Sequence, residues 1–319
     1  MILDSLFIVI GIVLVLWGAD RLTEGAAAIA RRFNMPEMVI GLTIVAAGTS
    51  APELFVSAMS ALNGTPDMAI GNVVGSNIMN TLLIVGVTAM VAPMAISRST
   101  VFKDIPFSAG ASLLLLILCL DGFSRFSISG NSISRIDGFI LLAGFILFMT
   151  YTLRHAKDAG AEGTDGAAKP VAVWKSVLFI IVGLACLIGG SDLFVSSASD
   201  LAARLGVSQS IIGLTIVAGG TSLPELATSV VAARKGKSAM AIGNVIGSNV
   251  FNILMILGLT SAISPLQIGG ITVIDMAVML GSIILVLLFS YTRFTIAKWE
   301  GAVLTLGYIA YAGWLIHNA

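Results

Sequence analysis

Residues 40–86 read "IGLTIVAAGTSAPELFVSAMSALNGTPDMAIGNVVGSNIMNTLLIVG", and residues 212–258 read "IGLTIVAGGTSLPELATSVVAARKGKSAMAIGNVIGSNVFNILMILG". The two stretches align without a gap at an offset of 172, with 29 of 47 positions identical. The chain therefore carries two copies of one unit. They keep the same apolar and amide residues but not the same turn: "LNGTPD" in the first copy is neutral or acidic, whereas "ARKGKS" in the second holds three cations.

Composition decides where such a unit can live. Of the 319 residues 57% are hydrophobic and only 11% charged, against a charged share of about 25% in soluble domains. The chain is an integral membrane protein. Its 17 basic and 17 acidic residues balance, which gives no case for nucleic acid or a polyanionic partner, and no obligatory protein partner is indicated. Cys119 and Cys186 both lie in apolar runs, so neither a disulfide framework nor a CxxC metal site is expected. His155 and His317 stand alone. The first apolar run leads into a charged helix end without a small-residue cleavage signal, and reads as a retained span.

A window of about 20 residues, enough to cross roughly 30 Å of hydrocarbon, predicts ten spans. They fall near residues 4–20, 36–61, 68–92, 105–121, 137–153, 176–196, 208–232, 239–263, 271–290 and 300–317. The polar stretch "RHAKDAGAEGTDGAAKP" reads as a flexible linker. The predicted organisation is a five-helix repeat over 1–153, a cytoplasmic linker over 154–172 and a second repeat over 173–319. Sorting the cations by loop puts 14 on one side and only Arg125, Arg135 and Arg204 on the other. The cation-rich side is the cytoplasm, which places both termini outside a multi-pass protein of the cell membrane. Since five spans is an odd number, the second copy enters the membrane inverted, and the charge reversal of its turn is the positive-inside rule acting on it. The predicted fold is an all-α membrane protein of two inverted five-helix repeats, with broken helices at the midplane. Such repeats recur in transporters whose substrate site lies at the repeat interface.

The breaks are predicted from proline. "GTSAPELFVS" (48–57) and "GTSLPELATS" (220–229) each place a proline in mid-span. Pro52 and Pro224 lack an N–H and crowd the carbonyl a turn earlier, around Gly48 and Gly220. Beside each break stands one acid, Glu53 or Glu225. An ionised side chain at the bilayer centre costs about 3 kcal/mol even on insertion scales, and two at matching positions point to cations. The partner stretches "GNVVGSNIMN" (71–80) and "GNVIGSNVFN" (243–252) repeat polar residues every fourth position: Asn72, Ser76, Asn80 and Asn244, Ser248, Asn252. Each set lines one side of its helix, as do Thr49, Glu53 and Ser57. Hydroxyls, amide carbonyls, freed main-chain carbonyls and two carboxylates make an all-oxygen cage suited to hard cations such as Na+ or Ca2+. Glycines 71, 75, 243 and 247 form small-xxx-small patterns that let helices pack closely.

With these residues in view, the two blocks resemble the alpha repeats of the cation/calcium exchanger superfamily, in particular its sodium/calcium exchanger branch. The likeness implies that Glu53 and Glu225 are shared by Ca2+ and Na+, with Thr49, Ser50, Thr221, Ser222, Ser76 and Ser248 as further oxygen ligands. It also implies ligation by the carbonyls of Ala46 and Ala218 and a central place for Asn80 and Asn252. Some relatives carry an Asp at one of the two central positions, which here are both amides. The implied activity is antiport of three Na+ for one Ca2+ by alternating access, as two long outer helices slide across the other eight. No cofactor is expected, the ions being transported substrates. The same fold could instead run Ca2+/H+ antiport. A channel is disfavoured by the prolines and paired glutamates, and an enzyme by the lack of a nucleophile with its base at membrane depth.

Overall fold

The computed structural model describes residues 2–64, 66–119, 132–159, 172–206, 216, 218–268 and 271–318. In chain order the helices are α1 (Ile2–Arg32), α2 (Glu37–Thr49), α3 (Ala51–Leu62), α4 (66–91), α5 (Thr100–Cys119), α6 (Arg135–Ala159), α7 (Val173–Arg204), α8 (Ala218–Gly220), α9 (Leu223–Arg234), α10 (Ser238–Ile263), α11 (Val273–Arg293) and α12 (Lys298–Asn318). Seven helices among the described residues are long and apolar enough to cross a membrane, and the bent pair α2–α3 makes an eighth span. The ten predicted spans are thus not all matched. The stretch 208–232 lies partly outside the described residues. Helix α12 runs through 21 residues, but its glycines, its tyrosines and Thr305 keep it below the apolarity of the seven. Helix α6 continues to Ala159, into the stretch expected as linker, because Ala, Lys and Arg there are good helix formers; residues 160–171 lie outside the described set.

The bundle differs from a soluble protein in burying many polar side chains within its apolar core and in presenting an apolar exterior. Helix α10 is buried without interruption from Met240 to Val250, a stretch that includes Asn244, Ser248 and Asn249. The outward faces instead present Leu6, Val13, Ile136, Phe139, Ile146, Ile181, Leu306 and Ile309. Such a surface fits lipid, whose tails are as apolar as leucine. Two small antiparallel strand pairs clip the loops: Met94–Ala95 pairs with Thr295–Ile296, and Ser132–Ile133 with Leu266–Gln267. Each joins the loop after the polar helix of one copy to the loop before the last helix of the other copy.

Helices α1 and α7 lie along one another as an antiparallel pair. With 31 and 32 residues they are about 46 and 48 Å long, well beyond the predicted 4–20 and 176–196. The alanines at 26–28 and 30 extend α1 to Arg32, and all four are buried. Glycine makes the contact. A Cβ on Gly11 would lie 2.8 Å from the carbonyl oxygen of Gly190, one on Gly18 2.7 Å from that of Gly183, and one on Gly25 2.7 Å from that of Ser176. The spacing of seven on both helices keeps these positions on one seam. Charges close the ends: Arg204 pairs with Asp4 at 3.4 Å, and the Arg21 guanidinium stacks over Trp17 of α1 and Phe179 of α7. One ion pair reaches from α1 to the turn before α10, where Lys235 Nζ lies 2.6 Å from Asp20 Oδ1.

Adjacent glycines of α7 provide a matched test of this seam. A Cβ on Gly190 would lie 2.8 Å from Leu14 Cβ and 2.9 Å from the Gly11 carbonyl, whereas one on Gly189 would meet nothing within 4 Å. Gly190→Ala is expected to destabilise by about 1–3 kcal/mol, and Gly189→Ala to be neutral or to stabilise by up to about 1 kcal/mol. Thermal unfolding of the purified variants in detergent checks the contrast; equal melting temperatures would remove the seam.

Candidate cation site

The two breaks form where helices restart. α2 and α3 meet at Ser50 with a bend of 47°, and Ser50 holds φ −82°, ψ 7°. The hinge is two residues later than the predicted position at Gly48. Pro52 sits in the first turn of the new helix, where a missing N–H costs nothing. Ser222 plays the same part before α9, with φ −92°, ψ 8° and Pro224 in the first turn. Glu53 and Glu225 therefore stand in the first turns of α3 and α9, and both are fully buried. The carbonyl that Pro224 leaves without its helical donor, that of Gly220, accepts instead from Ser191 Oγ of α7 at 2.6 Å.

The two copies exchange hydrogen bonds. Ser50 Oγ donates to Glu225 Oε1 at 3.2 Å, and Ser222 Oγ donates to Glu53 Oε1 at 3.3 Å. The Thr221 side chain also faces Glu53, while those of Thr49 and Ser248 face Glu225. Within each copy an amide ties the polar helix to the acid's helix. Asn72 Nδ2 donates to Ser57 Oγ at 3.1 Å and to the Glu53 carbonyl at 3.4 Å; Asn244 Nδ2 donates to Ser229 Oγ at 3.0 Å and to the Glu225 carbonyl at 3.3 Å. Thr49 Oγ1 reaches Asn244 Oδ1 at 3.2 Å and the Val45 carbonyl at 3.1 Å.

Close backbone approach makes this possible. A Cβ on Gly41 would lie 2.6 Å from the Met240 carbonyl oxygen, and one on Gly247 would lie 2.7 Å from Ala46 Cβ, so α2 lies directly on α10. The segment expected against Gly71 and Gly75 lies largely outside the described residues. Three π-helical stretches belong to this region: Gly41–Val45, Met79–Ile84 and Phe251–Leu257. Such wider turns often mark functional sites, and the latter two carry Asn80 and Asn252.

Of the sequence-predicted residues, Ala46, Thr49, Ser50, Glu53, Ser76, Asn80, Ser222, Glu225, Ser248 and Asn252 are all buried. Thr221 is partly buried. Ala218 opens α8, and its side chain lies outside the described set. The Ala46 carbonyl already accepts from the main-chain N–H of Ser50 at 2.9 Å. Five atoms stand out: Glu53 Oε2, Glu225 Oε2, Asn80 Oδ1, Asn252 Oδ1 and Ser248 Oγ are buried with no hydrogen-bond partner among the described residues. Orphaned acceptors of this kind cost about 1–3 kcal/mol each. The described residues hold no group of three or more His, Cys, Asp or Glu, so a cation here would meet two carboxylates and neutral oxygens. Sequence reasoning missed Asn77, Thr81, Asn249 and Ser191. The signal for the two asparagines was their identity in both copies next to Ser76 and Ser248, since a buried amide must find partners.

Comparison with known proteins agrees with this architecture. The family model described as sodium/calcium exchanger protein matches residues 4–154 and 175–317. The chain is 39% identical over 98% of its length, and of the relative's, to the putative antiporter CaxA of Alkalimonas amylolytica. It is 31% identical to the sodium/calcium exchanger MaX1 of Methanosarcina acetivorans, over 97% of each chain. Among solved structures, the sodium-calcium exchanger NCX_Mj superposes with a TM-score of 0.83 at 32% identity, again over 97% of both chains. These relatives are transporters and not enzymes. The chain is a multi-pass membrane antiporter of the exchanger type, and it belongs to the sodium/calcium exchanger protein family.

Proposed function

We propose that this protein exchanges Na+ for Ca2+ across the cell membrane, with both ions bound as substrates between Glu53 and Glu225. The observation that carries the reading is the set of four buried acceptor atoms, two of them carboxylate oxygens, that have no donor among the described residues, with the Ser248 hydroxyl beside Glu225. Bound cations would satisfy them, and hard all-oxygen ligation suits both ions. We assign Thr49, Ser50, Ser76, Thr221, Ser222, Ser248, Asn80 and Asn252, with the carbonyls of Ala46 and Ala218, as the remaining ligands. Two ionised glutamates balance one Ca2+, whereas three Na+ leave the site with a net +1. The exchange is then electrogenic, and each 100 mV of inside-negative potential favours Na+ entry by about 2.3 kcal/mol.

The topology we assign has ten spans in two inverted repeats, joined by a cytoplasmic linker, with both termini outside. The exchange of Ser50–Glu225 for Ser222–Glu53 contacts, and of the two strand pairs, supports a two-fold relation between the copies. Alternating access follows if α1 and α7, already locked into one unit by their glycine seam, move together across the remaining helices.

Three measurements test this. Glu53→Gln and Glu225→Gln are each expected to abolish Ca2+ uptake into Na+-loaded proteoliposomes and to weaken binding of both ions; retained exchange in either variant overturns the site. Single cysteines at Asn63, exposed in the turn after α3, and at Arg234, exposed at the end of α9, in a protein with Cys119 and Cys186 replaced, are expected to label from opposite sides of the membrane. Labelling from one side would mean that the copies run parallel. Finally, the amides Asn80 and Asn252 add no charge to hold a co-transported K+, so replacing K+ by choline is expected to leave Na+-driven Ca2+ flux unchanged. An absolute need for K+ would exclude the ion choice argued here.

A further inference from the structure

A carboxamide presents oxygen on one side and NH2 on the other, and only the oxygen attracts a cation. We propose that Asn249 and Thr81, with Asn77 on the opposite arm, are positioning residues that fix which end of Asn80 and Asn252 faces the cation site. The inference rests on the reading of that site as the place where the transported cations bind.

The orientation follows from the position of one proton. Thr81 Oγ1 donates to the main-chain carbonyl of Asn77 at 2.6 Å. Its single proton is then committed, so toward Asn249 it can only accept, and Asn249 Nδ2 donates to it at 3.0 Å. The Asn249 oxygen therefore turns the other way, where it accepts from Asn80 Nδ2 at 3.1 Å. With its NH2 held there, Asn80 is left with Oδ1 free of any partner among the described residues. On the second arm Asn252 Nδ2 donates to Asn77 Oδ1 at 3.1 Å, and Asn77 Nδ2 in turn donates to the Asn249 carbonyl at 3.4 Å. Asn252 Oδ1 is likewise left free. All five residues are at most 2% exposed, so a lost partner leaves a polar group shut away from bulk solvent. Turning any one amide would set NH2 against NH2 or oxygen against oxygen.

The arms are unequal. The residue matching Thr81 in the second copy is Ile253, which has no hydroxyl, so Asn77 lacks the anchor that Asn249 enjoys. The orientation of Asn80 is the more tightly held of the two.

The test is a double-substitution cycle between Asn249→Ala and Asn80→Asp in the full-length protein. Na+ and Ca2+ affinities are read from the rise in unfolding temperature as NaCl or CaCl2 is titrated into detergent-purified protein, beside Ca2+ uptake in proteoliposomes. With Asn80 intact, Asn249→Ala frees the amide to turn its NH2 inward, and cation affinity is expected to fall about tenfold. With Asn80→Asp, either carboxylate oxygen serves, and removing the Asn249 oxygen that would oppose it is expected to leave affinity unchanged or improved. An equal loss in both backgrounds would make Asn249 a space-filling residue and overturn the proposal. Thr81→Val and Thr81→Ser keep the test alive if Asn249→Ala does not fold. The valine is expected to lower affinity and the serine to retain it; no difference between them overturns the proton-based orientation. A wild type that binds cations without Na+-driven flux would sink the antiport reading while the cycle still decides this one. A wild type that binds neither ion overturns both.

Discussion

A carboxylate sealed away from water must be met by something else, and this chain seals two. Glu53 and Glu225 are fully buried, in a protein whose outer faces are leucine, isoleucine, valine and phenylalanine. Much of the surrounding construction answers that constraint. Helices stop and restart so that the acids stand in first turns, where helix N-termini favour negative charge. Serines of the opposite copy donate to one oxygen of each acid. Amides brace the polar helices against the broken ones, and glycines let the backbones approach closely enough for those short side chains to meet.

Much of this could be read from the sequence, because duplication leaves a signal that single residues do not. Two gap-free copies marked out the paired polar blocks, and ten of the twelve predicted site residues are buried. The lengths of the spans were less legible. A hydropathy window found α12 but overlooks the polar-ended extensions of α1 and α7. Proline located the breaks only to within two residues: its steric demand is met equally by kinking a helix or by opening a new one, and the chain does the latter at Ser50 and Ser222. The hydrogen-bond roles of Asn77, Thr81 and Asn249 depend on contacts between distant segments, such as Asn80 with Asn249, that no periodicity reveals.

The copies also differ where they touch the α1–α7 pair. Ser191 of α7 bonds the Gly220 carbonyl, while its counterpart in α1 is Ala19, with no hydroxyl to offer Gly48. Asp20 of α1 meets Lys235, while the matching positions are Asp192 and the neutral Asn63. An exposed ion pair adds little, about 0–1 kcal/mol, whereas a hydrogen bond to an otherwise orphaned carbonyl at a helix break adds more. The pair is thus held more firmly by the second copy than by the first.

The glycine seam between α1 and α7 has one more consequence. At Gly11, Gly18 and Gly25 the nearest obstacle is a main-chain carbonyl of the opposite helix. When side chain meets side chain, an enlargement on one partner can be answered by a reduction on the other. A carbonyl oxygen has no smaller version, so at these three glycines no second substitution on α7 can rescue a first. The contact that binds the two longest helices together would leave no trace in correlated substitutions between homologues; its only record is glycine every seventh residue.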